Sequence, residues 1–296
     1  MITLAHLSDV HLAPRPPVRA RDLFNKRITG FLNWKMTRHK TLDGDGLTRL
    51  VHHMHTQHPD MIAVSGDLMN LSLNAEINTA RNWLETLGDP DKVCVTPGNH
   101  DAYVPGQLER ALERWDDYVL GETIDDNQFP YVRRAGEMAI IVCNSAVPTL
   151  PTMASGHFDI EQYERLVRCL KLLGEANYFR VVMIHHPPNL EHAHPRLGLY
   201  GAKHFRRAVA EAGAELVLHG HTHRSTIFSI PGPNADVPVV GVAAAGTAQE
   251  DTAHDPARYN LFKIERVGRS WQCTMREFGF QRLNSDIVQR LSVRIY

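Results

Sequence analysis

Cysteine is scarce in this sequence, which has 4 among its 296 residues. The four stand apart at positions 94, 143, 169 and 273, and no two of them have the CxxC spacing. Disulfide frameworks and paired-cysteine metal sites depend on closer or patterned cysteines. We therefore expect reduced, buried thiols and a reducing compartment.

Long apolar runs and an excess of charge are missing as well. No stretch approaches the roughly 18 apolar residues that a membrane-spanning helix needs. Residues 1–12 lack the basic segment and the cleavage site of a secretory signal. The formal net charge is -1, which disfavours a general electrostatic grip on nucleic acid. The sequence thus predicts a cytoplasmic protein with no sequence-specific nucleic-acid partner.

Short runs rich in β-branched residues alternate with amphipathic segments along most of the chain. This alternation predicts an α/β fold, and we expect a single domain over residues 1–296. The runs read as buried strands are 2–9, 61–67, 92–101, 138–145, 180–188, 215–223 and 237–246. The segments read as helices are 42–57, 74–87, 105–120, 159–173 and 203–212. A β-hairpin that turns at Gly268 is expected within a C-terminal extension from about 255 to 296.

Histidine is abundant, with 18 residues, and many of them stand where a predicted strand ends. Ligands of open α/β sheets bind outside the carboxyl ends of the strands. Each of these short polar motifs alone is an ordinary turn, but five of them at successive strand ends indicate one shared site. The residues are Asp9, His11, Asp67, Asn99, His100, His185, His186, His219, His221 and His223.

The residue types indicate a metal site. Oxygen and imidazole ligands without thiolates suit divalent Zn, Mn, Fe or Co. On an extended segment, residues two apart point the same way, so Asp9 and His11 could share an ion, as could His221 and His223. Seven ligands exceed one tetrahedral site and fit two ions, with the Asp67 carboxylate as the bridge between them.

The ordered motifs resemble the calcineurin-like metallophosphoesterase superfamily. They are DxH at 9–11, GD at 66–67, GNHD at 98–101, HH at 185–186 and GHTH at 220–223. The resemblance implies a four-layer α-β-β-α sandwich of two mixed sheets, with a dimetal site at the rim formed by the strand carboxyl ends. It implies one ion on Asp9, His11, Asp67 and His223, and a second on Asp67, Asn99, His185 and His221. It also implies that His100 faces the substrate and that Asp101 orients it.

The expected reaction is hydrolysis of a phosphodiester, either a cyclic nucleotide or a small diester, by in-line attack of a metal-bound hydroxide. The motifs are most similar to bacterial class III cyclic nucleotide phosphodiesterases and glycerophosphodiesterases. His186, His192 and His194 are candidate substrate contacts. One alternative is hydrolysis of a phospholipid-like or nucleotide-lipid diphosphate at a membrane surface, and another is a non-catalytic scaffold of the same fold.

An insertion at residues 13–41 separates the first two motifs. It is dominated by Lys and Arg, and Asp22 is its single acidic residue. Two interpretations stay open: a packed insertion with a solvated basic face, or a lid or interfacial helix that contacts a membrane surface. A homodimer through the C-terminal hairpin also stays open, as does a peripheral location at the inner membrane surface.

Overall fold

Two mixed sheets of six strands each form the centre of the fold. The structure is a computed structural model that describes residues 1–13, 17–19, 22, 26–36, 44–188, 196–247, 255–281 and 285–296. The strands are β1 (Ile2–Leu7), β2 (Met61–Val64), β3 (Val93–Val95), β4 (Tyr131–Ala135), β5 (Met138–Val142), β6 (Gly156–His157), β7 (Phe179–Met183), β8 (Leu199–Tyr200), β9 (Leu216–His219), β10 (Thr226–Ile230), β11 (Val237–Gly241), β12 (Arg258–Val267), β13 (Ser270–Phe280) and β14 (Ile287–Arg294). The helices are α1 (Arg27–Met36), α2 (Gly44–Thr56), α3 (Asn74–Leu87), α4 (Gln107–Trp115), α5 (Ile160–Glu175) and α6 (Ala202–Ala212).

The first sheet has the strand order β14-β13-β12-β1-β2-β3, and the second has the order β10-β11-β9-β7-β5-β4. Within the first, β1, β2 and β3 run parallel. Within the second, β5, β7, β9 and β11 run parallel. Parallel neighbours end at the same edge of their sheet, so the segments that follow these strands lie side by side. β6 and β8 form a separate parallel pair.

Three apolar cores separate the layers. One lies between the first sheet and α2, α3 and α4, with Leu50, Leu84 and Trp115 inside it. Another lies between the second sheet and α5 and α6, with Leu166 and Phe205 inside it. The middle core, between the two sheets, includes Leu4, Met61, Ile140, Phe179 and Phe262. Successive residues of β1 alternate between cores, since Leu4 faces the second sheet and Ala5 faces the helices. The predicted four-layer α-β-β-α sandwich is confirmed.

The C-terminal region extends the first sheet. β12 and β13 form an antiparallel hairpin that turns at Gly268, whose φ of 64° lies in the left-handed region. β12 also pairs with β1, and β14 adds a third antiparallel strand that the sequence reading did not include. The described helices include none long and apolar enough to cross a membrane.

Candidate metal centre

The predicted ligands lie in tight turns directly after the strands. Five of them have left-handed backbone: Asp9 (φ 52°), His11 (φ 42°), Asp67 (φ 57°), His221 (φ 67°) and His223 (φ 55°). The expectation that the residue pairs lie on extended segments is therefore wrong. Such backbone costs on the order of 1–3 kcal/mol per non-glycine residue and persists only where the surroundings impose it.

Main-chain hydrogen bonds between the turn after β1 and the turn after β2 hold this backbone at Asp9 and His11. The Asp9 N–H donates to the Gly66 carbonyl at 2.9 Å, and the His11 N–H donates to the Asp67 carbonyl at 3.0 Å. A side chain at Gly98 would collide with the Asp67 carboxylate and main chain. The turn after β3 can therefore approach the turn after β2 only because residue 98 has no Cβ.

One group of converging ligand atoms comes from Asp9, His11, Asp67 and His223, and these atoms all lie within 4.8 Å of one another. His223 Nε2 is 3.0 Å from Asp9 Oδ1, and His11 Nε2 is 3.8 Å from Asp67 Oδ2. The Nε2 atoms of His11 and His223 are 3.4 Å apart. This is the set expected for one ion.

A second group lies beside it. His185 Nε2 is 3.6 Å from Asp67 Oδ2 and 3.2 Å from Asn99 Oδ1. His221 Nδ1 is 2.9 Å from the same Asn99 oxygen. Asp67 Oδ2 therefore faces imidazoles of both groups. The structure brings all seven predicted ligands together at one rim of the two sheets.

Backbone carbonyls determine which imidazole nitrogen carries the proton. His11 Nδ1–H donates to the Met69 carbonyl at 3.1 Å, and His185 Nδ1–H donates to the Ser65 carbonyl at 2.6 Å. His221 is turned the other way, and its Nε2–H donates to the Leu197 carbonyl at 2.9 Å. In each ring the other nitrogen, which faces Asp67 or Asn99, keeps its lone pair. A carbonyl behind each imidazole is the usual support of a metal-ligating histidine.

The electrostatics of the centre also suit cations. Burial, followed by the neighbouring His185, lowers the pKa of His221 to about 3, so that its ring is neutral and can donate a lone pair. Burial alone would raise the pKa of Asp9, but His223, His185 and His11 hold it well below its usual value. A buried carboxylate that stays ionised fits a divalent ion. These residues therefore fit the two ions that the sequence predicts.

His100 and Asp101 differ from expectation in their contacts. The Asp101 carboxylate accepts four main-chain N–H bonds, from Asp67, Leu68, Met69 and Gly98, at 2.8–3.0 Å. Burial, and then the charge of Asp67, raise the pKa of Asp101 to about 7. The His100 ring is oriented instead by the Asn70 carbonyl, which accepts its Nδ1–H at 2.7 Å. Asp101 thus holds the backbone of two ligand turns, and the expectation that it orients His100 is corrected.

Of the three predicted substrate contacts, the described residues include His186. His186 is fully buried, with Nδ1 2.8 Å from Ser145 Oγ and Nε2 3.2 Å from the Ala154 carbonyl. A ring held inside the protein by both nitrogens supports the loop that follows β5 more readily than it reaches a substrate. A His186 nitrogen does lie within 4.8 Å of nitrogens of His185 and His221. His192 and His194 fall outside the described residues.

Sequence reasoning missed the residues that surround the ligands. The carbonyls of Ser65, Met69, Asn70 and Leu197 contribute main-chain atoms, which leave no signal in residue type. Tyr103 is another such residue, because its ring stacks on His100 with the centroids 5.5 Å apart. Its position three residues after His100 was the one available signal.

Comparisons with known proteins agree with this geometry. A family model described as calcineurin-like phosphoesterase matches residues 2–225. A protein of Synechococcus sp. described as a probable cyclic nucleotide phosphodiesterase is 29% identical over 172 residues, which are 57% of this chain. The aligned part spans 60% of that relative's length.

Two solved structures share the fold. A dimetal phosphatase from Danio rerio superposes with a TM-score of 0.63 at 11% identity, over 100% of this chain and 99% of the other. A purple acid phosphatase from yellow lupin gives a TM-score of 0.61 at 11% identity, over 99% of this chain and 53% of the other. At such low identity, these two likenesses establish the architecture alone.

Proposed function

Because the chain belongs to the calcineurin-like phosphoesterase family, we propose that it is a metal-dependent phosphoesterase that hydrolyses small phosphodiesters. The observation that carries this proposal is the convergence of two groups of ligand atoms around Asp67 Oδ2. A cyclic nucleotide is the leading substrate class, since the Synechococcus relative is described as a probable cyclic nucleotide phosphodiesterase.

The proposed ligands divide between the two groups. Asp9, His11 and His223 would hold one ion, Asn99, His185 and His221 the other, and Asp67 both. When bound, two divalent ions clamp the phosphoryl group and supply a nucleophile at neutral pH. The chain contributes the orientation: the carbonyls of Met69, Ser65 and Leu197 hold three of the imidazoles with their lone pairs inward.

His100 is the proposed proton donor to the leaving group. Its ring centroid is 4.9 Å from that of His11, so it borders the first group of ligands. Because Nδ1–H is held by the Asn70 carbonyl, transfer to a leaving oxygen would run through Nε2. Asp101 would act indirectly, by holding the turns that carry Asp67 and His100.

One comparison of substrates tests this function. The metal-reconstituted protein would be assayed against a phosphomonoester, a 3′,5′-cyclic nucleotide, a linear diester and a nucleotide-lipid diphosphate. We expect the highest kcat/KM for a diester. The highest kcat/KM for the lipid diphosphate would favour the alternative that the basic insertion suggests, and absence of turnover despite bound metal would favour the non-catalytic scaffold.

A matched pair of variants makes the assay specific. Asp67→Asn alters the proposed bridge, whereas Asp60→Asn alters an exposed carboxylate that accepts from the main chain and hydroxyl of Thr3. Diester turnover should fall steeply in the first variant and stay near wild type in the second. Equal turnover in both variants would refute the proposed centre.

A further inference from the structure

The ring of Tyr103 lies flat against the proposed proton donor. The centroids of His100 and Tyr103 are 5.5 Å apart and the planes differ by 14°, so the rings are stacked. The edge of the His100 ring is held by the Asn70 carbonyl. A hydrogen bond at one edge still allows the ring to tilt about that bond, and a stacked aromatic face restrains the tilt.

Helix α1 of the 13–41 insertion restrains Tyr103 in turn. Any side chain at Gly30, on α1, would collide with the Tyr103 hydroxyl and with Leu71, so α1 packs directly on this ring. Phe31 and Val18, also of the insertion, pack against the apolar cluster that contains Tyr103. Tyr103 as a whole is buried, with 8% of its surface exposed.

Lys26 also contacts the Tyr103 ring. Its Nζ lies 4.5 Å from the centroid of the Tyr103 ring and donates to Thr149 Oγ1 at 2.6 Å and to the Met153 carbonyl at 2.9 Å. The insertion is thereby bonded to the loop after β5 through the same amine that contacts the ring. Tyr103 therefore contacts α1, Lys26 and His100.

Arg27 holds the neighbouring loop. Its guanidinium donates to the Leu71 and Ser72 carbonyls, and the Ser72 hydroxyl donates to the carbonyls of His100 and Asp101. The loop that carries the Asn70 carbonyl is therefore bonded to the insertion as well. Residues 26–31 therefore support both contacts that orient His100, namely the Asn70 carbonyl and the stacked Tyr103 ring.

We infer that Tyr103 is a positioning residue for His100, and that the insertion serves the leaving-group end of the site by holding Tyr103 in place. This inference rests on the proposed function, because it assigns to the insertion a part in the same reaction. Because the inference concerns the orientation of the His100 ring, it predicts a loss of turnover that depends on the leaving group. In variants that lose this positioning, kcat should fall for substrates whose leaving group needs a proton. It should stay nearly unchanged for substrates with a stable leaving anion.

Three variants test the inference through leaving-group dependence. Tyr103→Leu removes the stacked ring and should lower kcat at least about 10-fold for a cyclic nucleotide, whose leaving group is an alkoxide. For bis(4-nitrophenyl) phosphate it should change kcat less than about 2-fold. Tyr103→Phe keeps the ring and should restore the cyclic-nucleotide rate. Gly30→Val displaces the ring from the side of α1 and should reproduce the selectivity of Tyr103→Leu.

A matched control separates positioning from general loss of structure. Tyr259 is fully buried and its ring faces His53, with centroids 5.9 Å apart, beneath α2. Tyr259→Leu should lower the melting temperature without changing the ratio of the two rates. If Tyr103→Leu lowers both rates equally, as a structural role would, the inference fails.

Double substitution gives a stricter test. In a His100→Ala background, Tyr103→Leu should cause little additional loss of cyclic-nucleotide turnover, because the group that it positions is gone. If the double variant instead lost turnover by the product of the two single effects, the inference would be contradicted. Wild-type protein that turns over no diester at all would instead refute the proposed function, so the two failures are distinguishable.

An NMR readout is independent of turnover. In metal-free protein the His100 ring protons should be shifted upfield by the stacked Tyr103 ring. This shift should vanish in Tyr103→Leu and persist in Tyr103→Phe. Unchanged His100 ring shifts in Tyr103→Leu would show that the two rings do not stack in solution and would overturn the inference.

Discussion

At the scale of single residues, Asp67 connects the two groups of ligand atoms. Its Oδ2 is 3.8 Å from His11 Nε2 and 3.6 Å from His185 Nε2. Asp67→Asn should therefore weaken both ions, because a neutral amide bridges two cations poorly, whereas His223→Ala should mainly weaken one. Elemental analysis after dialysis measures this. A full pair of metals in Asp67→Asn, together with wild-type turnover, would show that Asp67 is not the bridge.

His100 makes a different prediction because it borders the ligands without belonging to either group. His100→Ala should keep the metal content and lower kcat by about 10²–10⁴-fold for an alkoxide leaving group. Nitrophenolate needs no proton, so the loss on a nitrophenyl diester should be small. The assay compares kcat on both substrates at saturating metal, and equal losses would rule out the acid role.

The sequence indicated these side chains but not their surroundings. Ligand types are visible because Asp, Asn and His follow strand ends at short spacing. The carbonyls that orient the imidazoles come from positions such as Met69 and Leu197, where the main chain acts and any residue type would serve. The left-handed backbone at Asp9 and His11 leaves no signal either, because it is imposed by bonds to a turn more than 50 residues away.

At the scale of elements, fully buried strands were predictable, including the edge strand β3, whereas partly exposed edge strands were not. The predicted runs correspond to strands such as β5 and β11, which are buried along their whole length and therefore read as continuous apolar segments. The missed strands β4, β10 and β14 lie at sheet edges and are partly exposed. Edge strands carry polar side chains on their open face, so their composition resembles that of a loop.

Arg27 and Arg19 of the insertion form a matched pair, because one is buried and the other is exposed. The guanidinium of Arg27 is buried and donates to two carbonyls, whereas Arg19 is exposed. Arg27→Ala should lower the free energy of unfolding by about 1–3 kcal/mol, because it leaves buried carbonyls without donors. Arg19→Ala should change it by less than about 0.5 kcal/mol. Denaturant titration measures both values.

The membrane interpretation of the insertion makes the opposite forecast for this pair. If the insertion contacts a membrane, Arg19→Ala should reduce co-sedimentation with phosphatidylserine-containing vesicles. The difference from wild type should become smaller at high salt. Equal stability of the two variants, together with a loss of vesicle binding in Arg19→Ala, would favour the membrane contact over the packed insertion.

Lys26 adds a pH dependence to the same element. Burial lowers the pKa of Lys26 from the usual 10.5 to about 8. Between these two values the unfolded chain binds more protons than the folded one, so this residue makes stability rise with pH in that window. Lys26→Met lacks the effect. The melting temperature of wild type relative to Lys26→Met should therefore increase from pH 7 to pH 10, and a constant or falling difference would contradict the burial of a charged amine.

At the scale of the whole molecule, the candidate centre joins the two halves of the sandwich. Asp9, Asp67 and Asn99 follow strands of the first sheet, whereas His185, His221 and His223 follow strands of the second. Elsewhere the sheets meet through the middle apolar core. Ions held by ligands from both sheets would connect them at the rim, and metal binding would then stabilise the entire fold rather than a single loop.

Chelation tests this linkage. A ligand at about 100 times its dissociation constant adds about 2.7 kcal/mol of stability, so removing the metals should lower the melting temperature by about 4–10 °C for a chain of this size. Scanning calorimetry with and without EDTA measures the shift. His53→Gln, at a histidine that contacts Tyr259 away from the centre, should keep the full shift, whereas Asp67→Asn should lose most of it. An EDTA shift of the same size in Asp67→Asn would mean that the stabilising metal binds elsewhere, and the centre would not be the connection between the sheets.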